Sequence, residues 1–416
     1  MVAAMSSSAA KKLFRSLDHA AVTAALEAHT RYLSGRPGGR RANLSYVDLS
    51  YRAFEGIDLS EAELTGALFN GAVLRGVNLS KAVLFGADLR DCDLRGAMLR
   101  KADLRGACLR GANLSNADLA GCDLRDGRIG VKTVADGIHI LRHDRRPGEM
   151  DFTVLQGANL AGAHLSDAVA TSADLTDANL VGASLGGARL DNALLDGADL
   201  SGADLFQADF RGASLRRAVL SGADMSVANF EKADLEGSLR APPAIVYVDD
   251  TPLDDVLCEH ERFVDSGGKA GAVACVSSVD FRALRQLRRR RLSGLNAQRC
   301  VFFGMNLEGV ELQGSNLSGA DLRGCNLKDA DLRGAKLIGA QLSKADLRGA
   351  KLGSLMIAEG RCVRTDLNRA NLRHADLRGA SARDARFLEA DLDQAKLQDC
   401  DLRGAEMELL AATSSS

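Results

Sequence analysis

An all-β solenoid is the fold this sequence predicts, and three observations predict it. Through ADLRDCDLRGAMLRKADLRGACLRGANL (87–114), Leu recurs at 89, 94, 99, 104, 109 and 114, every fifth residue. The residue two before these centres is small, as at Ala87, Ala97, Ala102, Ala107 and Ala112, and the residue two after is Gly, Lys, Asp or Asn, as at Gly96, Lys101, Gly106, Gly111 and Asn116. A helix repeats its buried face about every 3.6 residues and a strand every 2, so neither explains this spacing. Residues two apart on an extended chain face the same way, which puts each Leu beside its Ala. Gly and Asn tolerate positive φ in a tight turn. Each pentad is then a short extended piece plus a corner, and repeated corners wind the chain around a spine of Leu and Ala.

Composition agrees with such a spine. Aromatic residues make up only 4% of the 416, Trp is absent, and there are 42 Gly against 5 Pro. The core must therefore be built from Leu and Ala. The 53 basic and 55 acidic residues leave a net charge of −2, which excludes a polyanion or polycation as a whole, although 153–240 is an acidic stretch. No apolar run approaches the ~18–20 residues of a membrane span. The segment MVAAMSSSAAKKLFRS (1–16) lacks the apolar stretch of a secretory signal and reads as a frayed terminus. Among the nine Cys, Cys92, Cys122, Cys300, Cys325 and Cys400 sit two residues before a repeat centre, where Ala is usual. They read as small buried side chains. Without any C-x-x-C, neither a zinc ribbon nor a redox pair is signalled, and a reducing, cytoplasmic setting is expected.

The tandem Ala-(Asp/Asn)-Leu-X-Gly units resemble the pentapeptide-repeat family. That resemblance implies a right-handed quadrilateral β-helix with four pentads to a square coil. Three runs carry the motif: Leu44 to Leu124, with Phe54 and Phe69 in place of Leu; Leu155 to Leu235, with an undersized Ala170 and with Met225; and Phe302 to Met407, with Ile357, Cys362 and Ala382 as irregular centres. Between the first two runs, IGVKTV and GIHIL around ADG read as a β-hairpin, and the register moves by one residue. Ahead of the first and third runs lie matching stretches, in which Leu26, His29, Tyr32 and Leu33 correspond to Leu257, His260, Phe263 and Val264. Thr251-Pro252 followed by acids is a helix start. Each copy is expected to be an amphipathic helix covering the open first coil of a solenoid. The predicted order is a frayed N-terminus (1–16), a capping helix (17–35), a first solenoid (42–240) with a hairpin insertion (127–153), a linker with a second capping helix and a basic junction (241–300), a second solenoid (301–409), and a tail (410–416).

Chemistry is scarce in this pattern. His29 and His260 read as structural histidines bonded to nearby backbone. His139 and His143 lack the Glu of a metalloprotease pair and fall in a strand. GGKAG (267–271) lacks the spacing and the Ser/Thr of a phosphate loop and reads as a helix stop. No catalytic residue, metal site or cofactor is expected, and no enzyme activity. RALRQLRRRR (282–291) is the one charge run, with Arg282, Arg285, Arg288, Arg289, Arg290 and Arg291 as candidate contacts for an anionic partner, nucleic acid or lipid. Its lack of aromatic neighbours argues against single-strand nucleic-acid binding there. The function expected is a protein-interaction scaffold for an unknown protein partner. The family resemblance adds an alternative, imitation of DNA toward gyrase or another topoisomerase.

Overall fold

A computed structural model describes residues 17–135, 138–284 and 287–407. Parallel bridges join residues twenty apart, as in Asn43↔Glu63, Asp88↔Cys108 and Asp204↔Asp224, so four pentads complete one coil. Leu89, Leu94, Leu99, Leu104, Leu109 and Leu114 are all 0% exposed. Successive coils are tied by backbone bonds on either side of each centre: Leu94 N–H donates to the Asn113 carbonyl at 2.7 Å, and Asn113 N–H donates to the Cys92 carbonyl at 2.8 Å.

The corner is dictated by position, not by glycine. Tyr46, Glu61, Lys101 and Asn116 take φ of 57°, 63°, 55° and 60°, matching Gly96 at 64°. Gly is simply the residue that adopts this conformation without a Cβ clash. The Asp or Asn before each centre has its own role. Its Oδ1 accepts the N–H of the residue after the centre, as Asp58 does from Ser60 at 2.8 Å and Asp118 from Ala120 at 3.1 Å. This local side-chain bond holds the turn.

The chain forms two compact units, Met1–Ala241 and Pro242–Ser416. In the first, helix α1 (His19–Leu33) starts where Asp18 accepts from Ala21 N–H at 2.7 Å. Its buried Val22 joins the same apolar cluster as Ala42 and Leu44, with Leu26 partly buried against it. After the fifth coil begins, strands β1 (Gly127–Ala135) and β2 (Ile138–Arg146) form an antiparallel hairpin. The ladder then closes beneath it, because Cys108 pairs with Glu149, forty-one residues on instead of twenty. The twenty-one extra residues are four pentads and one residue, which accounts for the one-residue register shift. The second run starts one pentad earlier than its motif suggests: Met150, 4% exposed, is its first centre.

The second unit opens with β3 (Tyr247–Val248) and β4 (Thr251–Pro252), an antiparallel pair, followed by helix α2 (Leu253–Asp265). Strand β5 (Cys275–Ser277) lies parallel to β6 (Asn296–Gln298). Two sequence expectations are corrected in this unit. The coil does not begin at 301, since Arg291 already pairs with Glu311, and Leu287, Leu292 and Ala297 are buried centres. The motif is hidden there because Arg285 and Arg290 stand where Ala is usual. Ile357 and Cys362 are not centres either. They lie in a second hairpin, β7 (Leu355–Ala358) with β8 (Arg361–Val363), and Ile357 is 50% exposed. Lys336 pairs with Asp366 across thirty residues, so the ten extra residues are two whole pentads and leave the phase intact.

Both hairpins are fastened by a buried threonine in the Ala position. Thr153 Oγ1 donates to the Leu109 carbonyl at 2.9 Å. Thr365 Oγ1 lies 2.8 Å from the Gly353 carbonyl and accepts from Gly334 N–H at 2.9 Å.

The undersized centre Ala170 borders an apolar cavity of about 10 Å³ that Met150, Leu165 and Leu190 also line. Ala170→Val is expected to stabilise the first unit by ~1 kcal/mol, on the order of a buried CH₂ or two less some strain. Urea unfolding checks this, and a midpoint that does not rise would mean the neighbours have no room for the added methyls.

Candidate functional site

The two helices enter their coils through the same set of contacts. His29 is buried and its Nδ1 accepts from Ala42 N–H at 3.1 Å; His260 is buried and accepts from Ala274 N–H, also at 3.1 Å. The Ala28 carbonyl accepts from Arg40 N–H at 3.0 Å, and the Glu259 carbonyl from Ala272 N–H at 3.2 Å. Gly39 and Gly271 cross the helices so closely that a Cβ would stand 2.5 Å from Tyr32 N and 2.6 Å from Phe263 N. Every pair is offset by the one-residue insertion that aligns the two stretches.

An accepting Nδ1 requires the neutral imidazole with its proton on Nε2. Burial holds both histidines below the usual value of about 6.5; the Ser60 backbone and Asp58 work against this at His29, and the Leu292 and Ser293 backbone at His260. The unfolded chain therefore takes up protons that the folded chain refuses. The resulting stability is complete above about pH 6.5 and is lost as pH falls toward the depressed folded values. The urea midpoint is expected to drop between pH 7.5 and 5. A His29→Asn/His260→Asn variant, in which Oδ1 replaces Nδ1 as acceptor, is expected to drop less. The paired aspartates act in a separate window. Hydrogen bonding by Arg95 and Arg378 pushes Asp93 and Asp376 down to about 2, so their contribution fades only below the usual carboxylate range.

The arginine run is not a row of unpaired cations. Arg282 bonds Asp280 at 2.7 Å, and Arg288 bonds Glu308 at 2.9 Å. Arg290 bridges Asp254 at 2.5 Å and Glu261 at 2.8 Å, and Arg291 reaches Asp265 at 2.6 Å. Arg289 occupies a corner, with φ 57° and its side chain against Gly309. Arg285 lies outside the described residues. Burial works against the Arg290 charge, but Glu261 and Asp254 outweigh it. Arg290 and Arg291 thus fasten α2 to the first coil of its unit, while Arg288, Arg289 and Arg291 remain exposed.

The same neutralisation recurs in the first and third runs and at Asp209–Arg211 in the second, where Thr176, Ser201, Phe206 and Ser226 otherwise follow the centres after Asp174, Asp199, Asp204 and Asp224. The Asp before a centre and the Arg after it share one face of a short strand and bond to each other, as in Asp103–Arg105 at 2.7 Å and Asp321–Arg323 at 2.6 Å. His139 and His143 fall on β2. Their side chains lie outside the described ones. Gly267 and Gly268, at φ 62° and 85°, end α2, and Gly268 N–H caps the Phe263 carbonyl at 2.9 Å. Among the described residues, no cluster of His, Cys, Asp or Glu could hold a metal ion, and no helix is long and apolar enough to cross a membrane.

Sequence reasoning passed over residues 31–52, which carry five Arg and one acid together with Tyr32, Tyr46 and Tyr51. A local charge count would have found this segment; the repeat pattern that starts within it masks the signal.

No curated protein matches the chain significantly. Among solved structures it is similar to full-length QnrB1, a plasmid-mediated fluoroquinolone resistance protein, at 23% identity over 47% of this chain and 85% of that one, with a TM-score of 0.22. It is also similar to the pentapeptide repeat protein Rfr23 from the cyanobacterium Cyanothece 51142, at 26% identity over 36% of this chain and 89% of that one, with a TM-score of 0.21. A third is HetL from the cyanobacterium Nostoc, a pentapeptide repeat protein involved in heterocyst differentiation regulation, at 22% identity over 94% and 97%, with a TM-score of 0.14. The family model for pentapeptide repeats matches residues 42–126, 149–239, 286–353 and 364–407 in overlapping copies, and its gaps fall on the two hairpins and on the stretch that holds α2. With more than half of its length matched and a coil of twenty residues wherever no hairpin interrupts the matched repeats, the chain belongs to the pentapeptide-repeat family, whose fold is the right-handed β-helix solenoid.

Proposed function

We propose that this chain is a non-enzymatic protein-interaction scaffold. In this reading each unit is a stiff stack of coils, with α1 and α2 as caps over first coils that would otherwise expose apolar side chains and strand edges. Support for the caps comes from Val22 sharing a cluster with Leu44, and from Leu253 and Leu257 sharing one with Leu287 and Leu292. The observation that carries the scaffold reading is the pair of hairpins. Each leaves a coil and returns while the ladder continues beneath it, so a recognition element stands on a rigid support.

Deleting residues 127–147 and 354–363 would restore uninterrupted pentads. The deleted chain is expected to melt no lower than the full chain and to lose the partner that the full chain recovers from its native host. Recovery of the same partner by the deleted chain would overturn the assignment of recognition to the hairpins.

The alternative, DNA imitation toward a topoisomerase, calls for rows of carboxylates without counter-ions. Asp103, Asp321 and Asp376 each have an Arg partner. In the acidic stretch 153–240, Asp204 and Asp224 stack with no ion pair among the described residues, but that column is two residues long. No inhibition of gyrase supercoiling at stoichiometric excess is the expected result.

A further inference from the structure

We propose that the entrance of the first unit, residues 31–52, binds single-stranded nucleic acid. This goes beyond the scaffold reading and does not depend on the hairpins.

The first ingredient is unneutralised positive charge. Arg31, Arg36 and Arg40 are exposed and form no ion pair among the described residues, whereas Arg41 reaches Glu63 at 3.5 Å and Arg52 donates to the Leu17 carbonyl at 2.7 Å. Asp48 is the single acid in the segment, and its Oδ1 is occupied by Ser50 N–H at 3.0 Å. Just outside the segment, Glu61 sits 3.5 Å from both Lys81 Nζ and the Tyr32 hydroxyl.

The second ingredient is exposed ring surface. Tyr32, Tyr46 and Tyr51 are 40%, 41% and 80% exposed. Tyr46 and Tyr51 occupy successive corners of one coil, both at positive φ. Each ring rests against a glycine of the next coil, Tyr46 on Gly66 and Tyr51 on Gly71, so closely that a Cβ there would stand 2.6 and 2.7 Å from ring carbon. The rings are thus backed on one side by main chain, while the exposure lies on the other. Tyr32 reaches Glu61, at the corner one step from Tyr46 and two from Tyr51, so the rings lie around the rim of one coil; a strand of unpaired bases following that rim would meet the guanidinium groups with its phosphates and stack its bases on the rings. An acidic polypeptide offers the charge without a base for each ring, so nucleic acid is favoured.

The duplicated entrance in the second unit serves as an internal comparison. There Ser278 and Ala283 stand in the places of Tyr46 and Tyr51, and Arg262, the counterpart of Arg31, is paired with Glu259 at 2.7 Å. The fold of the entrance therefore needs neither tyrosine nor a free arginine at these places.

The test is fluorescence anisotropy of a labelled oligo(dT) of about twenty nucleotides, titrated with the full chain at low salt, with thermal melts of every variant. Tyr51→Ala is expected to weaken binding about tenfold without lowering Tm. Arg36→Ala/Arg40→Ala is expected to reduce the slope of log affinity against log salt by about 1.4, or ~0.7 for each phosphate no longer neutralised. Arg262→Ala is expected to change nothing. The proposal is overturned by any of four results: no anisotropy change in protein excess, equal binding of duplex DNA, competition by poly-L-glutamate as effective per charge as by oligo(dT), or unchanged binding by Tyr51→Ala.

Discussion

Gly271→Ala is expected to strip α2 from the second unit, at a cost of at least ~3 kcal/mol. The added Cβ would stand 2.2 Å from the Glu259 carbonyl oxygen and 2.6 Å from Phe263 N, both main-chain atoms of the helix, which no rotamer change can move aside. The residue is also held at φ 77°, where alanine carries roughly 1 kcal/mol of strain. Relief requires α2 to lift, which exposes Leu253 and Leu257, each worth roughly 1.5–3 kcal/mol when buried. Gly39→Ala poses the same steric problem in the first unit, 2.5 Å from Tyr32 N. Native-state hydrogen exchange reads the result directly. Protection should vanish across 253–281 in Gly271→Ala and persist at 87–114. Unchanged exchange and an unchanged urea midpoint would show that the helix can yield without leaving the coil.

Leu94→Ala is expected to cost ~3 kcal/mol or more, within the roughly 2–5 kcal/mol seen for buried Leu truncation. Leu94 is 0% exposed, and the backbone bonds that tie its coil to the next, such as Leu94 N–H to the Asn113 carbonyl at 2.7 Å, hold the neighbouring layers at their spacing. The space cannot collapse, so the cost includes the void as well as the transfer of the side chain. Ala170 shows the outcome in the native chain, where an undersized centre is accompanied by a cavity. Leu235→Ala, at a half-buried centre in the last coil of the first unit, is expected to cost about a third as much. Thermal unfolding of the two variants makes the comparison, and equal destabilisation would mean that depth along the stack does not govern the energy.

The spine was legible because three separate demands fall on fixed positions: an aliphatic centre, a small residue two before it, and a corner two after. The helices were legible because the entrance is duplicated, so that His29 and His260 could be recognised as counterparts before the bonds of either were known. What stayed hidden has identifiable causes. The second hairpin is two pentads long, and a periodic pattern cannot register an excursion that preserves its own phase. In the sequence of the second unit's early pentads Arg285 and Arg290 stand where Ala is usual, which erases the motif, although Arg291 already pairs with Glu311. The pairing of Arg290 and Arg291 depends on Asp254, Glu261 and Asp265, some thirty residues upstream, and a count of local charge sees none of them. Thr153 and Thr365 were visible as departures from Ala, but their meaning as fasteners needs the coil geometry.

Because strand pairing resumes directly under each excursion, the corner where it departs behaves as a splice point whose cargo is thermodynamically cheap. Closing a flexible loop costs only ~0.6 kcal/mol for each doubling of its length. New binding segments can therefore be grafted there, or old ones exchanged, with the underlying coils indifferent to the insert provided a hydroxyl-bearing residue is kept to tie the return. Such a chain can diversify what it recognises far faster than it changes how it folds.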